Sequence, residues 1–235
     1  MIAFQDVTRL QRTDSGTLVL LSNATEQFKR NERVGILAAP GTGKSSIARM
    51  LAGVEKPDSG RIFRQGKVSW PIGFAGGFHP ELSAAENITY LSNLVGQDPI
   101  EAISFCIEFA GFADSIRQKL KTFSPGQRAA IAYSFSLSVA CDMYIADEVI
   151  GIGDPEMRLR CRAMLDRRLE KAGLVFLSKN PTQLKNHCTR FFVLIDSKLV
   201  PCEDMDVGVA ALALAKKRNP TQPLTAETRI EASHE

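Results

Sequence analysis

Tryptophan occurs once in these 235 residues, tyrosine and histidine three times each, and no apolar stretch is long enough to cross a bilayer. The uncharged run at 129–141 stops at Asp142, well short of the ~20 residues a spanning helix needs, so any membrane task requires a separate partner. Met1-Ile2-Ala3-Phe4-Gln5-Asp6 carries neither a basic leader nor an apolar secretion stretch, and no secretory signal is expected. Charge of one sign is also scarce: 29 Lys and Arg face 26 Asp and Glu, and a net +3 is too slight an excess to argue for nucleic acid. The five cysteines, Cys106, Cys141, Cys161, Cys188 and Cys202, show no close or metal-type spacing, which suits reduced cytosolic thiols. His187-Cys188 is at most half a metal site, and a surface helix is the reading preferred there.

With 44% hydrophobic and 23% charged residues, the chain has the make-up of a soluble globular domain with a substantial core. Its most basic stretch, residues 157–171, interleaves Arg158, Arg160, Arg162, Arg167, Arg168 and Lys171 with Asp166 and Glu170, as a solvated helix face does.

Three short strings carry the chemistry. Ala38-Ala39-Pro40-Gly41-Thr42-Gly43-Lys44-Ser45 has the form of a phosphate-binding loop. In such a loop successive backbone N–H groups face the phosphates, a lysine reaches the β/γ oxygens and a hydroxyl serves Mg²⁺. Its context fits, because Arg33-Val34-Gly35-Ile36-Leu37 reads as a buried strand and Ser46-Ile47-Ala48-Arg49-Met50-Leu51 as the helix leaving the loop. Met143-Tyr144-Ile145-Ala146-Asp147-Glu148 is an apolar strand delivering two carboxylates at its end, one suited to the metal and one to the attacking water. Between them, Phe123-Ser124-Pro125-Gly126-Gln127 precedes a helical run at 128–140. Read alone, Ser124 with Gln127 three residues on is a capping box.

Taken together, the strings resemble the ATP-binding subunits of ABC transporters, with Ser124-Pro125-Gly126-Gln127 in the place of the signature loop. The likeness narrows to the ATPase subunits of capsular polysaccharide exporters. It does so through Ser69-Trp70-Pro71-Ile72-Gly73-Phe74-Ala75-Gly76-Gly77-Phe78, Leu82-Ser83, Glu86-Asn87, Lys56-Pro57-Asp58-Ser59-Gly60-Arg61-Ile62 and Val149-Ile150-Gly151-Ile152-Gly153-Asp154. It runs from about residue 1 to about residue 199.

The resemblance implies an α/β fold of the ABC nucleotide-binding type, with a RecA-like parallel-sheet core, an antiparallel β subdomain and a helical subdomain. The residues agree with this organisation. Short β segments precede Leu37, helical spacing runs from Ser83 to about Phe123, and strands at 143–146, 174–177 and 191–195 alternate with helices. The domain is expected to span 1–219, with its helical lobe at about 79–135 and another helix at 207–217, ahead of an aperiodic, disordered tail at 220–235.

By the same resemblance two copies sandwich two ATP molecules. Ala39, Pro40, Gly41, Thr42, Gly43, Lys44, Ser45 and Ser46 of one copy face Ser124, Gly126 and Gln127 of the other. Ser45 and Asp147 serve Mg²⁺, Glu148 is the general base, and Asp154 couples the two sites. The implied partners are an identical copy, an integral-membrane permease and a polysaccharide export complex, on the cytoplasmic face of a bacterial inner membrane. A degenerate, ATP-binding but poorly hydrolysing subunit is the alternative.

Ala38, Gln11 and Lys179 depart from the family pattern, whereas His79 stands where that pattern has glutamine or histidine. Ala38 stands at the first glycine of the loop and fits only with negative φ. Gln11 stands where an aromatic ring stacks on adenine. His79 follows Gly77-Phe78 and is either a coupling residue near the γ-phosphate or an exposed histidine before Pro80. Lys179, after Ser178, replaces a histidine that contacts both γ-phosphate and catalytic carboxylate. An ammonium only donates where an imidazole also accepts, and at this place it could pair with Glu148.

Overall fold

The computed structural model describes residues 1–14 and 16–218. Two long antiparallel strands, β1 (Ile2–Thr13) and β2 (Gly16–Ala24), open the chain; β1 also pairs with the two-residue β3 (Gln27–Phe28) and with β5 (Ser59–Arg64). This four-stranded antiparallel sheet stands beside a second sheet of six strands. The latter holds β4 (Arg33–Leu37), β6 (Val68–Pro71), β7 (Met143–Asp147), β8 (Gly173–Ser178), β9 (Arg190–Ile195) and β10 (Lys198–Cys202). Their spatial order is β10-β9-β4-β8-β7-β6, parallel throughout except for the antiparallel β10.

Alternation along the central strands decides what packs on each face, since successive side chains point to opposite sides. Val34, Ile36, Met143, Ile145, Val175 and Leu177 join the helix α1 (Lys44–Ala52) and the antiparallel sheet in one core. Leu37, Tyr144, Ala146, Leu174 and Phe176 face the other way, toward α5 (Pro155–Leu169), α6 (Pro181–His187) and α7 (Met205–Arg218). A third core joins α2 (Ala84–Val95), α3 (Pro99–Ala110) and α4 (Pro125–Ser138) through Ile88, Cys106, Ile131 and Phe135. Among the described residues no helix is long and apolar enough to cross a membrane.

Three local expectations are corrected. The helix after the middle string begins at Pro125 rather than at residue 128, because Ser124 and Gln127 form a full capping box and proline at the first helical position brings its φ already set. His187 and Cys188 are not on a surface: both are buried, with His187 edge-on to Phe176, and burial holds its imidazole below the usual histidine value. The basic stretch is only partly a solvated face. Arg168 donates to the carbonyls of Leu137 and Ser138 at 2.8 and 3.1 Å, Arg160 donates to Glu108 O, and their guanidinium groups lie over Phe105 and Phe109 respectively, fastening α5 to α3 and the end of α4. The tail at 220–235 lies outside the described residues.

Candidate nucleotide site

The loop between β4 and α1 departs from the sheet at Ala38, whose N–H donates to Ser178 O at 3.1 Å and extends the β4–β8 pairing by one residue. Ala38 keeps a negative φ and is fully buried, so alanine fits where a left-handed backbone would have required glycine. Gly43 is the position that admits nothing else. Its φ is +91°, and a Cβ there would lie 2.9 Å from Leu20 Cβ. Gly43 caps α1 without any side-chain hydrogen bond, so the first-turn N–H groups are left for an anion.

Lys44 is 8% exposed and its three ammonium protons meet three acceptors. These are Ala38 O at 3.3 Å, Ala39 O at 2.9 Å and Glu148 Oε1 at 3.3 Å. The lysine thus closes on the protein's own carbonyls and on a carboxylate.

Asp147 continues the register of Met143 and Ile145, the face of β7 packed toward α1. Its Oδ1 is buried without a hydrogen-bond partner, a costly state for a carboxylate oxygen unless a cation or water completes it. Among the described residues no cluster of three or more His, Cys, Asp or Glu could hold a metal alone. A half-buried aspartate with one buried, unpartnered oxygen suits Mg²⁺, which takes few protein ligands and completes its shell with water and phosphate oxygens. The residues present fit that ion.

Glu148 leaves the strand with φ +60°, a left-handed conformation that costs a non-glycine residue roughly 1–3 kcal/mol. Its carboxylate is held in return. Ser178 Oγ donates to Oε2 at 2.8 Å, and the Lys179 backbone N–H spans Oε1 and Oε2 at 3.1 and 3.2 Å. The Glu148 N–H donates to Leu177 O at 2.9 Å.

The sites named from sequence therefore divide. Lys44, Glu148 and the Lys179 backbone meet; the Lys179 side chain is exposed and, among the described residues, makes no ion pair with Glu148. The pairing anticipated for Lys179 is replaced by Lys44, because the end of β8 turns the backbone N–H of residue 179 toward the carboxylate. His79 is exposed and accepts from the Glu81 N–H at 3.3 Å, and no hydrogen bond or ion pair among the described residues joins it to Lys44 or Glu148. Gln11 is exposed on β1, opposite Leu18.

At the far end of the helical layer, Ser124 Oγ accepts the Gln127 N–H at 3.2 Å while Gln127 Oε1 accepts the Ser124 N–H at 2.8 Å. The capping reading is correct, and it leaves the Ser124 hydroxyl proton available to donate. Asp154 caps α5 in the same way, accepting the Met157 N–H at 2.8 Å.

Two buried residues make contacts that the local sequence pattern does not show. Buried Asn87 accepts the His79 N–H at 2.6 Å and donates to the carbonyls of His79, Leu82 and Ser83, tying α2 to the loop before it. Ser178 is a hydroxyl closing an apolar strand, a pattern that by itself suggests only a strand end.

Comparison with known proteins follows this geometry. The ABC transporter family model matches residues 21–151. The ATP-binding protein BexA of Haemophilus influenzae is 34% identical over 206 residues, covering 88% of this chain and 95% of that protein. The polysialic acid transport ATP-binding protein KpsT of Escherichia coli is 31% identical over 190 residues, 80% of this chain and 87% of that protein. In fold, a dimeric ATP-binding cassette solved with ADP and Pi superposes with TM-score 0.70 at 17% identity, over 85% of this chain and 96% of the other. The match to the family model and the 34% identity to BexA along nearly the whole of that protein show that the chain belongs to the ABC transporter family as an ABC-type ATPase.

Proposed function

We propose that this chain binds and hydrolyses ATP to energise export of a capsule-like polysaccharide through a separate integral-membrane permease, on the cytoplasmic face of a bacterial inner membrane. The observation that carries the reading is the similarity to BexA across 95% of that protein, joined to a site in which Lys44 meets Glu148 and a buried Asp147 oxygen is left without a partner. The polysialic acid transport and capsule polysaccharide export proteins of Escherichia coli and Neisseria meningitidis, 31% and 30% identical, point to the same class of cargo.

In the mechanism, the backbone N–H groups of 41–46 receive the phosphates and Lys44 exchanges its three protein acceptors for β/γ oxygens. The Ser45 hydroxyl and Asp147 would hold Mg²⁺, and that ion would supply neutralisation of the phosphate charge. A second copy brings its Ser124 hydroxyl and Gly126 N–H, at a helix N-terminus, to the γ-phosphate and shuts the site from water. Glu148 takes the proton of the attacking water as its oxygen bonds to the γ-phosphorus and the bond to the ADP oxygen breaks, leaving ADP and phosphate. Lys44's departure is what frees Glu148 Oε1 for that water.

The test is export itself. With its cognate permease in a host lacking its own capsule-export ATPase subunit, the chain is expected to restore surface polysaccharide, and Glu148→Gln to abolish it. Restoration by Glu148→Gln at the wild-type level would overturn the hydrolytic reading, and restored transport of some other cargo with no surface polysaccharide would overturn the substrate class.

A further inference from the structure

Ser178 is the only polar side chain in β8, and it is fully buried. Its Oγ accepts the Asn180 N–H at 3.1 Å and donates to Glu148 Oε2 at 2.8 Å; Gln183 Oε1, at 3.4 Å, is the longer alternative acceptor. A hydroxyl has one proton, and the shorter, charge-assisted bond to the carboxylate holds it. The Lys179 N–H supplies the second donor from the same strand end. Because β7 and β8 are adjacent parallel strands, in register from Met143 opposite Gly173 to Asp147 opposite Leu177, these donors belong to one rigid sheet.

The third donor is different in kind. Lys44 sits on the loop that must receive phosphate, so its bond to Oε1 ends when nucleotide arrives, whereas those from Ser178 and Lys179 do not depend on it. We propose that Ser178 is a positioning residue for the ATPase reaction, its hydroxyl fixing Oε2 of Glu148 so that Oε1 faces the attacking water once Lys44 has moved to the phosphate. The proposal rests on Glu148 being the general base. With Lys179 exposed, the Ser178 hydroxyl and the Lys179 backbone N–H together orient the carboxylate.

Single-turnover and steady-state hydrolysis by the purified chain test it. Ser178→Ala is expected to lower kcat by about ten- to a hundredfold, with KM for Mg-ATP and thermal stabilisation by Mg-ATP unchanged. Added to Glu148→Gln, Ser178→Ala is expected to cause no further loss, since both act through one carboxylate. Asn180→Ala removes the cap of α6 without touching Glu148 and is expected to keep its turnover. Should the alanine variant fail to fold, Ser178→Cys, whose thiol is a weak donor, carries the same cycle. Wild-type turnover in Ser178→Ala beside an inactive Glu148→Gln overturns the proposal and leaves Glu148 as the base. Undiminished turnover in Glu148→Gln overturns the reading of Glu148 instead. A further loss in the double variant, or an equal loss in Asn180→Ala, assigns the effect to packing of α6 and also overturns the proposal.

Discussion

Lys44 Nζ lies 3.3 Å from Glu148 Oε1, so the residue proposed to reach the phosphate and the residue proposed to activate the water hold each other. The pair is worth little as stability. Glu148 is about one-third exposed, and partly exposed ion pairs contribute ~0–1 kcal/mol. On the proposed mechanism its consequence is instead an exchange, in which nucleotide binding and release of Glu148 become one event.

Lys44→Ala is accordingly expected to abolish stabilisation by Mg-ATP while leaving the melting temperature of the nucleotide-free protein within about a degree or two of wild type. Thermal melts with and without Mg-ATP check this. Equal stabilisation of variant and wild type would remove the loop from nucleotide binding.

Glu148→Gln keeps the side chain's shape but removes the base. The variant is expected to accumulate as an ATP-bound dimer, because in the proposed mechanism Ser124 and Gly126 reach the γ-phosphate from an opposing copy. Light scattering at saturating Mg-ATP checks the mass; a monomer with nucleotide binding intact argues against the composite site.

Much of this architecture was legible because its signals are short-range. The strand Arg33–Leu37 is a largely buried five-residue run, and Ser124 with Gln127 is a capping box that marks the start of α4, three residues before the helical run read from sequence. What sequence reading missed depends on contacts between distant segments. Ser178 meets Glu148 across 30 positions, and Trp70 meets Ser136 across 66, neither of which any local pattern encodes. The same limit explains the error over Lys179, where the substitution was visible but the direction of its backbone was not.

Ser136 offers a test of that long-range bonding. Its Oγ accepts the Trp70 indole N–H at 2.8 Å and the Gly73 N–H at 3.2 Å, and it donates to Ala132 O at 2.7 Å. Ser136→Ala strands two donors in a largely buried place and is expected to cost about 1–3 kcal/mol in urea unfolding. An unchanged midpoint would mean that water replaces the hydroxyl.

The cysteines should follow burial. Desolvation pushes the Cys106 and Cys188 thiols each up to about 12 and Cys141 up to about 11. All three rise above the ordinary thiol value of 9.0, so their stabilising contribution is complete below about pH 9 and declines as pH climbs toward those raised values. Native-state alkylation read by mass spectrometry at pH 8 is expected to label the half-buried Cys202 and Cys141 well before Cys106, Cys161 and Cys188. Rapid labelling of Cys106 in the folded protein would contradict its burial.

Lys179→His is the most exposed expectation. The backbone N–H at this position already serves Glu148, and a substitution preserves it, so the variant tests the side chain alone. Lys179's ammonium is exposed and can only donate; it cannot accept a proton while donating to a phosphate oxygen, as an imidazole can. Lys44, Ser45, Asp147 and Glu148 are all in place, so lysine is expected to slow hydrolysis rather than abolish it. Restoring histidine is expected to raise turnover about tenfold, ~1.4 kcal/mol in the barrier, with little change in ATP affinity. Single-turnover hydrolysis with the permease present checks it. If the wild type is already fast and Lys179→His slows it, the ammonium itself contacts the γ-phosphate in the closed dimer, and the lysine is a working replacement rather than a loss.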